Sequence, residues 1–129
     1  MTALETIKFV GEKLAEQGCQ SVATKEEADA LDMSIGSCMY RGPENRKCGA
    51  GWLIPNELYD RSMENRNIAF VCINWPTVAD TVLPTDLTKE EGLVLLRNIQ
   101  NIHDHWAPNK WQEKFGELDQ EYAQYTATT

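Results

Sequence analysis

The sequence predicts a small α+β domain, mainly helical, with one β-hairpin over about residues 38–53 and an antiparallel helix pair at the C-terminal end. Three observations predict it. Apolar residues recur at helical spacing behind capping signatures near both ends of the chain. A Gly42-Pro43 turn lies between two short arms of alternating character. Pro108 divides two long amphipathic stretches with a connection so short that the helices on either side must fold back on each other. At 129 residues the chain is read as one domain over 1–129, long enough to bury a core without a disulfide or a metal.

The elements follow in order. Thr2 with Glu5 forms a capping box, Leu4, Ile7, Val10 and Leu14 mark one helix face, and Gly18 suits the left-handed residue that ends it. Thr24 with Glu27 repeats the box, and Ala28 and Leu31 give a second, short helix its inner face. In the hairpin, a loop of Pro43-Glu44-Asn45 pairs Gly42 with Arg46, Arg41 with Lys47, Tyr40 with Cys48 and Cys38 with Ala50. Period two then places Cys38, Tyr40, Cys48, Ala50 and Trp52 on one apolar face and Met39, Arg41 and Lys47 on a basic one. Asn56 to Tyr59 reads as a helical turn with Asn56 as its cap, and Asn65 to Asn67 as a loop. The apolar run Ile68–Trp75 has no clean period; it reads as a buried strand or a short core helix, the strand slightly favoured, and Pro76 stops either one. Thr88 and Glu91 cap a helix with a stripe of Leu95, Leu96, Ile99, Ile102 and Trp106. Asn109 and Gln112 cap the last one, where Trp111, Phe115, Leu118, Tyr122 and Tyr125 recur. Gly92 and Gly116 mark close helix contacts, and the Thr-rich tail (Thr126, Thr128, Thr129) is expected to fray.

Charge excludes some functions. The net charge is −8, with 3 cations against 7 acids in residues 1–40, 5 against 4 in 41–66 and 4 against 9 in 67–129. An acidic chain with no basic run is a poor ligand for phosphate backbones, so nucleic acid enters as a partner only through mimicry of it. No apolar run reaches the roughly 18 residues of a membrane span, and the first 18 residues are amphipathic where a secretory signal would be basic and then apolar, so a cytoplasmic, membrane-free protein is expected.

The groups that could carry chemistry are few. Cys19, Cys38, Cys48 and Cys72 lack the close pairing of zinc ligands and are read as reduced, buried thiols. His103 and His105 stand at i and i+2 on a helix and point about 200° apart, so they cannot close on one ion. Cys48 follows Arg46 and Lys47, which favour a thiolate, yet it falls on the hairpin's apolar face. Gly49-Ala50-Gly51 matches no nucleotide-binding loop. No catalytic residue, metal or cofactor is assigned. What remains is a binding surface at the hairpin, formed by Arg41, Arg46 and Lys47 with Tyr40 beside them. Like charges facing each other call for a compensating acid, either Glu44, Glu57 or Asp60 or one on a partner.

The string Cys38-x-Tyr40-Arg41-x-Pro43-x-x-x-Lys47-Cys48-x-x-Gly51-x-Leu53-Ile54-Pro55, with Glu57-x-Tyr59 and Gln100-x-x-His103-Asp104 further on, resembles a group of small uncharacterised phage and prophage proteins. Members commonly carry C-Y-R-x-P-x-G-x-K-C at the turn; here Asn45 stands at the glycine, and it too tolerates a left-handed backbone. The resemblance implies a non-enzymatic accessory protein of the host-cell cytoplasm, one that binds and inhibits or redirects a host protein or defence complex. A binder of a small anionic ligand such as a nucleotide, and a thiol-dependent enzyme using Cys48 or His103, are the alternatives.

Overall fold

The computed structural model describes the backbone of residues 1–127 and side-chain surroundings through Tyr125. Six α-helices appear: α1 (Ala3–Gln17), α2 (Lys25–Leu31), α3 (Ile68–Asn74), α4 (Pro76–Val82), α5 (Lys89–His105) and α6 (Trp111–Ala127). No strand occurs among the described residues, and the one extended pairing is an isolated antiparallel bridge between Val22 and Cys38. The fold is therefore all-α, which corrects the expected α+β class and its hairpin. Thr128 and Thr129 of the expected frayed tail lie outside the described residues, and α6 runs on through Thr126.

Capping chemistry sets the long helices. Glu5 N–H donates to Thr2 Oγ1 while Thr2 N–H donates to Glu5 Oε1, and α5 repeats the exchange between Thr88 and Glu91. Gly18 closes α1 at φ 72°. Around these, Ile7, Val10 and Leu14 of α1, Leu95, Leu96 and Ile99 of α5, and Trp111, Phe115 and Leu118 of α6 form the core. α6 packs on α5, as a short connection requires, but its most extensive contact is with α1, where an added Cβ on Gly11 would stand 3.3 Å from the Phe115 ring. The expected Asn109 cap is replaced by a 3₁₀ turn, Pro108–Lys110, that leads straight into α6.

Of the two readings of the run Ile68–Trp75, the structure takes the helix, α3, over the slightly favoured strand. Asn67 caps it, its side chain accepting from Phe70 N–H at 2.8 Å, and Pro76 opens α4 at the position where a helix has no use for the missing N–H. Ile68, Val71 and Cys72 face inward at helical spacing.

Residues 38–54 do turn back at Pro43-Glu44-Asn45, with Gly42 N–H donating to Arg46 O at 2.8 Å. Beyond that pair no ladder forms, because the backbone donors are engaged elsewhere. Met39 N–H donates to Ser21 O, Tyr40 and Arg41 N–H to the two oxygens of Glu64, Lys47 N–H to Gln17 Oε1 and Ala50 N–H to Gln100 Oε1. Cys48 N–H pairs with Met39 O, one residue off the expected Tyr40, and the returning arm winds into a 3₁₀ turn at Ala50–Leu53. The slip moves Met39 from the expected basic face into a small second core with Ala23 and Ala28. Side chains from distant segments thus replace a partner strand, and the segment is wedged between α1 and α5.

Candidate functional site

The four residues expected to form a binding surface separate into two pairs. Tyr40 is 3% exposed and its hydroxyl donates to Arg66 O at 2.7 Å. Arg41 turns its guanidinium inward, donating to Tyr40 O, Gly51 O and Ile54 O at 3.1, 2.7 and 2.5 Å, and stacks over the Tyr59 ring. Arg46 and Lys47 stay outside. Arg46 pairs with Glu44 at 2.8 Å, and the Lys47 ammonium lies 4.5 Å from the centroid of Trp52, with Lys13 at 5.7 Å from the same ring. Their loop is held in place by Gln17, whose amide accepts from Lys47 N–H and donates to Lys47 O. Glu44 and Asn45, at φ 58° and 62°, both occupy the left-handed region.

Of the three acids expected to compensate, Glu44 does so for Arg46, and a fourth that was not expected stands beside Arg41. Glu64, 5% exposed, accepts from Tyr40 N–H, Arg41 N–H and the Tyr59 hydroxyl at 2.9, 3.0 and 2.6 Å. Burial, with Glu64 accepting its proton, pushes the Tyr59 hydroxyl well above its ordinary pKa. Nothing in the local sequence distinguishes Glu64 from a solvated loop acid.

Behind the turn, the structure joins residues that sequence left apart. Cys38, His103 and Asp104 place a sulfur, a ring nitrogen and a carboxylate oxygen within 4.8 Å of one another. Gln100 Nε2 donates to Cys38 Sγ at 3.3 Å, and its Oε1 accepts from Ala50 N–H. His103, in the last turn of α5, is fully buried, stacked on Trp111 with ring centroids 5.6 Å apart, while His105 is exposed. Much of the motif that carries the resemblance is thus bonded to itself: Cys38 to Gln100, His103 to Asp104, and Arg41 to Gly51 and Ile54. Gly51 lies so close that an added Cβ would meet Tyr40 O at 2.6 Å.

The protonation of this cluster follows from its partners. A hydrogen bond with Cys48 and burial push the Cys38 thiol far above the ordinary range, more than His103 draws it down. Cys48 is fully buried. For His103, burial works against the charged ring, but Asp104 and Cys38 outweigh it, and these three together would lift its pKa to about 9. Ser21 N–H decides the matter. It donates to Nε2 at 2.9 Å and so needs the lone pair there, which leaves the single ring proton on Nδ1, given to Asp104 at 2.7 Å. With both nitrogens engaged, the imidazole offers neither a base nor a metal ligand.

Cys38 and Asp104 also border an open cleft of about 270 Å³ between α5 and the loop that leads into α3. No protein-family model, curated protein or solved structure matches the chain. Fold and site define a small all-α domain whose thiol, imidazole and carboxylate groups brace a central loop. No helix is long and apolar enough to cross a membrane among the described residues.

Proposed function

We propose that this is an accessory protein of the phage type, which works in the host-cell cytoplasm by binding a host protein or defence complex and inhibiting or redirecting it. The observation that carries the reading is the tip of the central loop. Two consecutive non-glycine residues in the left-handed region, Glu44 and Asn45, project an exposed acid–base pair beside a tryptophan bracketed by two ammonium groups. Arginine and tryptophan anchor protein interfaces more than other residues do, and backbone held in an uncommon conformation by its surroundings concentrates at functional loops. A Cys38 thiol held protonated by its Cys48 hydrogen bond and by burial, and a fully engaged histidine, favour binding over catalysis.

The test is an affinity capture from host lysate, with and without infection, comparing wild type with Arg46→Glu/Lys47→Glu. The two side chains make only surface contacts, Arg46 with Glu44 and Lys47 with the Trp52 ring, and Gln17 grips the Lys47 backbone, so the variant should melt close to the wild type. The expected result is a protein retained by wild type alone, which then binds the purified wild-type chain. Equal retention by both chains removes the tip from the interface, and retention by neither removes the reading.

A further inference from the structure

Two arginines that form no ion pair among the described residues border the cleft beside Cys38, although the chain's net charge is −8. Arg66 stands on one wall and Arg97 on the other. Neither guanidinium makes an ion pair or a hydrogen bond among the described residues, whereas Arg41 is bonded to three carbonyls and Arg46 to Glu44. Arg66 lies 4.7 Å over the Phe70 ring, and its backbone is fixed by the hydroxyl of Tyr40. Arg97 shares one face of α5 with Gln100, Asn101 and Asp104, at i, i+3, i+4 and i+7. All four line the cleft, opposite Asn65 and Asn67.

Two guanidiniums across a small cleft match an oxyanion that each can grip with two parallel N–H donors. The single carboxylate at the same cleft, Asp104, is an acceptor; one of its oxygens receives His103 Nδ1–H, which fixes it. An anion alone would be repelled by Asp104, but a ligand that carries hydroxyls as well as a phosphate would use it. We infer that the cleft between Arg66 and Arg97 binds a small phosphorylated polyol, with the phosphate on the two arginines and a hydroxyl donating to Asp104. The volume, about 270 Å³, fits a sugar phosphate and leaves little room for more. This site is separate from the loop tip and does not depend on a protein partner.

The test is a titration of the full chain with inorganic phosphate and with ribose 5-phosphate at matched ionic strength, followed through backbone amide and arginine Nε–H resonances. Saturable shifts confined to residues 65–69 and 97–104 are expected. Ribose 5-phosphate should bind at least about tenfold tighter than phosphate, the worth of one good charge-assisted hydrogen bond. Arg66→Gln and Arg97→Gln should each weaken both ligands by about tenfold or more; both side chains are exposed, so the variants should keep the wild-type spectrum elsewhere. No saturable shift with either ligand, or binding that survives the double variant, overturns the site. Equal affinity for the two ligands overturns the polyol assignment.

Discussion

Glu64 shows how one side chain can stand in for a strand. Its carboxylate takes three donors that a sheet neighbour would otherwise satisfy. Glu64→Ala orphans two buried backbone N–H groups and a hydroxyl, and should cost about 3 kcal/mol or more in urea unfolding, against a few tenths for the exposed loop acid its sequence context suggests. Arg41 is comparable: its glutamate substitution would set a carboxylate against three carbonyl oxygens, so loss of folding is expected where Arg46→Glu is silent. His103 carries a sharper prediction. Nitrogen-15 shifts at pH 7 should report a neutral ring protonated at Nδ1, and a charged ring would mean that Ser21 N–H has left Nε2. These three residues were illegible in sequence for one reason: each acts on a segment more than ten positions away, Glu64 on Tyr40, Arg41 on Ile54 and His103 on Ser21, and no local pattern encodes such a partner.

At the level of elements, legibility tracked self-sufficiency. α1, α2 and α5 announce themselves because the capping acid and the capped threonine lie three residues apart, so both partners are visible in one window. α3 hid behind β-branched and aromatic residues that suit a strand, and only Asn67, which belongs to the loop by composition, marked its start. Pro76 both stops α3 and starts α4, since the first helical position and the residues just past a helix end both accept proline. The two glycines expected to mark close helix contacts part company. An added Cβ at Gly92 would meet Leu83 at 3.0 Å and Pro84 at 3.3 Å, whereas Gly116 is exposed with nothing within 4 Å. Gly116→Ala should therefore raise stability by about 1 kcal/mol and Gly92→Ala should lower it or leave it unchanged, as thermal melts of the pair will show. The caps also have a pH signature. Hydrogen bonds from Thr2 and Thr24 hold Glu5 and Glu27 below their ordinary pKa, so their contribution is complete above about pH 4.5 and is lost as pH falls through the lower folded values.

For the whole molecule, the three long helices make a core that sequence periodicity foretold, and the segment between them is where the expected class failed. Its alternation was real, but alternation specifies a strand only when a second strand is there to pair with it. Here the neighbours are helices, and they bond through side chains: Gln17 from α1, Gln100 and His103 from α5. The cluster of motif residues was partly legible as a set of letters and not as an assembly, because 65 positions separate Cys38 from His103.

The dependence of residues 38–54 on Gln17, Glu64 and Gln100 has a consequence for the order in which the chain folds. Contacts that span 23 to 50 positions form only after the intervening chain has been closed into loops, so this segment must organise after α1 and α5 have met. Substitutions within it should speed unfolding and leave the refolding rate nearly untouched. Cut out as a peptide, it should show no preferred conformation by circular dichroism, and in the intact protein its amides should exchange with solvent only through global opening.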